Sequence, residues 1–212
     1  MARPVHADAD ATRQRMLSAA VELFADHGRS GTSIRDVAGA AGVSLAMIHH
    51  YFGSKDELYD ACIDATYAEL SEMKGTLALE LASAAPLSEL FARAVVTSFR
   101  FAREHRTAVR LLVRAAVSSG ELHPRGRKLL LEALDVVSTV VGARLERPPS
   151  ELRLLLQSVV FLVARYAAQD EGETAAVVGV PAREKHRARE AVEAHLVHVA
   201  LDLFGLSRRG SR

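Results

Sequence analysis

Between Ser33 and Gly53 the chain reads as two very short helices set one after the other, and nothing else in it so narrows what it can fold into. Ser33 offers a side-chain oxygen at a helix start, and Asp36 stands where a capping box places a carboxylate. Ile34, Val37, Ala38 and Ala41 follow at helical spacing, and Gly42 suits a tight turn because it lacks a side chain. Ser44 then caps a third helix running from Leu45 to about Phe52, which Gly53 ends. Two such helices joined by "AGVS" make a helix-turn-helix.

The flanking sequence is helical too. From Ala11 to about Asp26, Met16, Ala19, Ala20, Leu23 and Phe24 keep helical spacing, and Gly28 reads as the stop. Ser54 caps a fourth helix with Glu57 at the capping-box position, and Tyr59, Ile63, Thr66, Leu70, Met73, Leu77 and Leu81 carry it to about residue 81. A fifth begins at Pro86, with Leu87, Phe91, Val95, Phe99 and Ala102 on one face, and a sixth spans His105 to about Ser118. A seventh spans Arg127 to Arg147 before the stop "RPPS", and an eighth runs from about Ser150 to Ala168. "QDEGETAAVVGVP" reads as a loop, and a ninth helix fills about Ala182 to Phe204.

Helices eight and nine are apolar beyond one stripe. Leu155, Val160 and Leu162 lie outside the main stripe of the eighth, and Val197, Leu201 and Phe204 form a second stripe on the ninth. The expectation is an all-α chain of about nine helices. Residues 1–54 form an N-terminal three-helix helix-turn-helix domain, 55–206 a larger helical ligand-binding and dimerisation domain, and 207–212 a disordered tail.

Composition agrees, with 49% apolar and 25% charged residues and few alternating β-branched runs. Bulk charge names no partner. The net charge is +1, and within residues 1–56 Arg3, Arg13, Arg15, Arg29, Arg35 and Lys55 are balanced by Asp8, Asp10, Glu22, Asp26, Asp36 and Asp56. A lone cysteine, Cys62, cannot form an intramolecular disulfide and reads as a core residue. The start of the chain lacks the apolar stretch of a leader peptide, and no apolar run approaches the roughly 20 residues of a membrane helix. A cytoplasmic protein with no membrane partner is expected.

No G-x-S-x-G or H-E-x-x-H occurs, and His105, His123, His186, His195 and His198 are scattered, so the chain is not read as an enzyme and no cofactor is expected. His49 and His50 do not read as a metal pair. Adjacent helical residues point about 100° apart, and no Cys or carboxylate lies at ligand spacing. The basic "REKHRARE" reads as a solvated helix face with its charges balanced along it.

"AAVELFADHG", "TSIRDVAGAAGVS" and "IHHYFGSKDEL", in that order and spacing, resemble the DNA-binding domain of the TetR (tetracycline-repressor) family of transcriptional regulators. An exposed helix about 12 Å across fits the major groove of B-DNA. The resemblance implies that the outer face of the third helix, with Leu45, Ala46, Met47, His49 and His50, contacts bases and backbone, and that Tyr51 and Lys55 meet phosphates. Ser44, at the start of that helix, belongs to the same DNA-facing set, and Thr32 and Ser33, which start the second helix, could donate to the DNA backbone.

The sequence departs from the family pattern at three points. His49 stands where a tyrosine is usual, Ala46-Met47 where a small Gly-Thr pair is usual, and Arg29 where an aromatic is usual. With no Arg, Asn or Gln on the third helix, readout is expected from apolar contacts to thymine methyls, from the two histidines and from DNA shape.

The resemblance further implies a regulator, expected to be a repressor of a two-fold symmetric operator, acting as a homodimer through helices eight and nine. A largely apolar small-molecule effector would occupy a cavity enclosed by helices four to eight of each subunit, for which Tyr67, Met73, Phe99, Phe101, Leu112, Leu134, Phe161 and Tyr166 are candidate lining residues, most with an equal reading as core. A ligand-responsive activator and a helical protein-interaction adaptor remain as alternatives.

Overall fold

The computed structural model describes residues 5–71 and 83–207, with side chains from residue 9 onward. Among the described residues the chain is all helical, with ten helices: α1 (Val5–Gly31), α2 (Ile34–Ala41), α3 (Leu45–Phe52), α4 (Lys55–Leu70), α5 (Leu87–Glu104), α6 (Arg106–Ser119), α7 (Pro124–Leu145), α8 (Pro149–Ala168), α9 (Glu171–Val178) and α10 (Lys185–Leu203). α1 starts earlier than Ala11, and its helical geometry breaks at Gly28, where φ is 73°. The extension of the fourth helix through Met73, Leu77 and Leu81 lies outside the described residues, as do residues 208–212 of the expected tail.

Two compact units are present. The first combines Met1–Leu70 with Thr107–Arg125, which is more chain than the 1–54 segment. Its core shows why: Met16, Phe24, Val37, Ile48, Leu58 and Ile63 are all but sealed from water, and Leu111 of α6 is buried among them. α1 packs on α2 and α4, and α3 packs on α2 and α4. Phe24 meets the Tyr59 ring edge-on, with centroids 5.0 Å apart. Asp26 on α1 pairs with Arg110 on α6 at 2.8 Å.

The sequence punctuation reappears as hydrogen bonds. The Asp36 backbone N–H donates to Ser33 Oγ, and the Ser33 N–H donates to the Asp36 carboxylate at 2.9 Å. Gly42 closes α2 at φ 65°, a left-handed conformation that a side chain would strain. Ser54 and Glu57 repeat the box at α4: the Ser54 N–H donates to Glu57 Oε2 at 2.7 Å, and the Glu57 N–H to Ser54 Oγ at 3.2 Å.

The second unit combines Ser71–Arg106 with Gly126–Arg212. α10 packs on α5, α8 and α9, and α5 packs on α8. Leu90 and Phe91 of α5, Val141 of α7 and Leu152 of α8 share a core with Phe204. Phe204 lies tilted against Phe91 at 4.5 Å between centroids, so it belongs to this core and not to the surplus apolar stripe expected on the last helix.

The segment 169–181 also differs from its expectation as a loop. Asp170 Oδ1 accepts from the Gly172 and Glu173 N–H groups, α9 follows, and Gly179 ends it at φ 78°. Buried Thr174 and Ala175 make the turn of helix worth forming. Arg103, on α5, holds this corner. Its Nη1 donates to the Ala167 and Gln169 carbonyls at 2.9 and 2.7 Å, satisfying the C-terminus of α8, while Nη2 donates to Glu171 at 3.0 Å. Glu171 also pairs with Lys185 at 2.9 Å and Arg189 at 2.6 Å.

Those partners, Lys185 foremost, hold the Glu171 carboxyl at about 2, against an ordinary value of 4.5. A depressed folded-state pKa means that the stabilisation is complete above about 4.5 and is lost as pH falls towards 2. After discounting for solvent around the carboxylate, the contribution is about 1–2 kcal/mol. Urea titrations at pH 7 and at pH 3 should therefore show Glu171→Gln destabilised at the higher pH, with the gap to wild type narrowed to less than half at the lower one.

Gly53 makes a second test. It sits at φ 75°, and a Cβ placed there would run into the Glu57 carboxylate that caps α4. Gly53→Ala should lower stability by about 1–2 kcal/mol in thermal or chemical denaturation, more than Gly39→Ala, which meets open space.

Candidate nucleic-acid interface

α3 is oriented by what it buries. Ile48 is fully sealed and Phe52 nearly so, four residues apart on one face. Leu45, Ala46, His49 and His50 are exposed as a result, and Met47 and Tyr51 are half-buried at the flanks of that face, packed against the first unit's core. Ser44 Oγ accepts from the Met47 N–H at 3.2 Å, which fixes the helix start and still leaves its hydroxyl hydrogen to donate outward.

The four aromatic positions divide by this rotation. The Phe52 ring is core and lies beneath the Arg13 guanidinium, 5.3 Å from the ring centroid. Tyr51 lies tilted against Phe52 and edge-on to His50, at 6.4 and 5.4 Å between centroids. His49 is tied to the helix end: its Nδ1 is 2.7 Å from the Gly53 carbonyl oxygen. The sequence reading did not anticipate that bond, although a histidine four residues before a helix-ending glycine is the pattern that makes it possible.

Lys55 is half-buried at the first turn of α4, where backbone N–H groups favour an anion. Its neighbours are otherwise engaged. Asp56 is held by Arg29, with Nε at 3.0 Å and Nη2 at 2.5 Å, and Glu57 by the Ser54 cap. Arg29, in the position usually aromatic, also lies over the Tyr59 ring at 6.0 Å. The Asp56 carboxylate raises the Arg29 guanidinium, and the Ser54 hydroxyl and N–H lower the Glu57 carboxyl. Arg35 is an exposed cation on α2 that the sequence reading did not enlist.

The hydroxyls of Thr32 and Ser33, expected to lie at the DNA backbone, bond within the protein. Thr32 is only 3% exposed, and its hydroxyl donates to the Gly28 and Leu23 carbonyls at 2.9 and 3.1 Å, closing the end of α1. The Ser33 hydroxyl donates to the Asp36 carboxylate at 2.7 Å. Both serve the junction between α1 and α2.

The described effector candidates are divided between the two units. Tyr67 and Leu112 pack against the first unit's core, with Tyr67 stacked on His123. Met73 lies outside the described residues. In the second unit Leu134 is core, Phe101 packs on His105, and Phe161 is 48% exposed. Phe99 and Tyr166 line a partly open space of about 10 Å³, room for one water-sized group. Phe99 also borders an open cleft of about 440 Å³ with Arg100, Arg103, Glu104, Glu171, Arg189 and Glu193, so that cleft is ringed by charge where an apolar lining was expected.

Among the described residues no helix is long and apolar enough to cross a membrane. Burial pushes the Cys62 thiol up to about 12, as expected of a core residue.

Residues 16–62 match the family profile described as bacterial regulatory proteins, tetR family. The chain is 38% identical over 108 residues to the HTH-type transcriptional regulatory protein RaaS of Mycobacterium tuberculosis, covering 51% of this chain and 46% of that one. It is 36% identical over 74 residues to the HTH-type transcriptional repressor NicS of Pseudomonas putida, 35% of each chain. The match thus spans less than half the length of these curated relatives. The crystal structure of a TetR-like transcriptional regulator from Rhodococcus sp. RHA1 aligns over 97% of this chain and 99% of its own, with a TM-score of 0.64 at 24% identity, and so shares the fold. Residues 16–62 thus match the helix-turn-helix segment of tetR-family regulators, within an all-helical chain that shares the fold of a TetR-like regulator.

Proposed function

We propose that the protein is a transcriptional repressor that binds a two-fold symmetric DNA operator as a homodimer and is released by a small-molecule effector. The observation that carries this reading is the outward face of α3: an eight-residue helix held by Ile48 and Phe52 so that Leu45, Ala46, His49 and His50 stand clear of the protein. Residues 1–54 and the first turn of α4 supply the DNA contacts, with Ser44, Met47, Tyr51 and Lys55 flanking the exposed four. The names of NicS and RaaS support regulation of transcription, and NicS supports repression.

Dimerisation through α8 and α10 is supported by apolar side chains left open to water. On α8 these are Leu154 at 71% and Phe161 at 48% exposure, with Leu203 on α10 at 36%. A two-fold axis brings the same patch of both copies together. We place the effector in the second unit beside Phe99 and Tyr166. The charged rim of the adjoining cleft favours a ligand that joins an apolar body to a charged group. An effector that prefers the DNA-free state by about 1.4 kcal/mol lowers operator affinity tenfold.

Mobility-shift titration with the DNA flanking its own gene, across a salt series, tests the reading. A shift that is sequence-selective and weakens with salt is expected, and its absence with and without candidate effectors would sink the proposal. Lys55→Ala should weaken binding to all sequences alike and lower the salt slope by about 1; a change in base preference instead would contradict the phosphate role. Phe161→Glu should shift sedimentation towards monomer and reduce operator binding with it, whereas an unchanged dimer would place the interface elsewhere.

A further inference from the structure

His49 is locked in one tautomer by the end of its own helix. The Gly53 N–H donates to the His49 carbonyl at 2.9 Å, and His49 Nδ1 lies 2.7 Å from the Gly53 carbonyl oxygen. A carbonyl oxygen can only accept, so the hydrogen of that second bond is on Nδ1. The neutral imidazole carries a single N–H, and with Nδ1 protonated, Nε2 presents a bare lone pair. The two residues therefore exchange hydrogen bonds in both directions, which fixes the ring's orientation as well as its proton. His49 is exposed on the outward face of α3, beside His50 and one turn from Leu45, and Nε2 is the ring nitrogen not turned back to Gly53.

Resting on the reading of α3 as the helix that enters the major groove, we infer that His49 determines specificity by acting as an obligate hydrogen-bond acceptor. The groove edges of the bases differ at the point it would meet. Adenine offers its N6 amino group and cytosine its N4 amino group, whereas guanine presents O6 and thymine O4, both acceptors. A lone pair facing an amino group makes a hydrogen bond; a lone pair facing an oxo group leaves two acceptors opposed and neither satisfied. His49 thus selects A or C over G or T at one position of each half-site. A phenol hydroxyl, such as the tyrosine usual at this position, rotates to donate or to accept and would not discriminate in this way. The sequence departure at His49 is then a change in what is read, from a tolerant contact to a polarised one.

Two measurements test this. In nitrogen-edited imidazole spectra of the full-length protein free of DNA at about pH 8, where an ordinary imidazole is neutral, the signal that His49→Phe removes should report hydrogen on Nδ1. Hydrogen on Nε2 overturns the inference whether or not the protein binds DNA. Duplexes selected by the wild type from a random pool at the same pH should contain a position where the transition A·T to G·C, or C·G to T·A, which exchanges amino for oxo at the same place in the groove, costs about tenfold in affinity. In His49→Phe that transition should fall to within about twofold, and in His49→Gln, whose amide can donate or accept, to a value between. An undiminished tenfold loss in both variants overturns the role of His49. If the wild type selects no duplex while the spectra show the Nδ1 tautomer, the regulator reading fails and takes the inference with it; selection by the wild type with the wrong tautomer leaves that reading standing and removes the inference alone.

Discussion

The rotation of α3 about its own axis is the constraint on which the DNA-facing surface depends, and two side chains fix it. Ile48 and Phe52 are buried against a core that α1, α2 and α4 also build. Replacing such a residue by alanine typically costs about 2–5 kcal/mol, whereas a helix cap is worth about 1 kcal/mol. The core therefore decides which way the helix faces, and the caps at Ser44 and Gly53 decide where it begins and ends. A turn of 100° per residue then carries Leu45, Ala46, His49 and His50 outward without any choice of their own.

Around that helix, polar groups are spent on geometry more often than on a partner. Asp56 is held by Arg29, Glu57 caps the helix it belongs to, and Asp36 closes the Ser33 box. Placement, not net charge, is what the surface offers.

Much of this was legible because local chemistry leaves local marks. Both capping boxes and the turn at Gly42 follow from residue types at fixed spacing, and the structure realises them as hydrogen bonds. What was not legible depended on how neighbouring segments fold back on one another. Thr32 looks like a surface hydroxyl until the carbonyls of Leu23 and Gly28 are brought to it. α9 carries a helix-capping aspartate and a terminating glycine, yet eight residues gain helical stability only when Thr174 and Ala175 are buried and Arg103 pins the corner. Apolar periodicity marks an inward face but does not say whether a neighbour or a void lies opposite, which is why Leu134 of the effector candidates is core and Phe161 half exposed.

The presence of α6 in the first unit bears on how the chain comes into being. Leu111 is sealed within a core whose other members all precede residue 64, and the second unit's helix α5 lies between them in sequence. As the polypeptide leaves the ribosome from its N-terminus, α1 to α4 are made first but cannot close over their apolar faces until the segment around Leu111 has followed. The N-terminal unit is thus completed by a contact of long sequence separation, and its maturation is tied to synthesis of chain that belongs to the other unit. Newly made copies would spend that interval with the apolar side chains destined to meet Leu111 still open to chaperones.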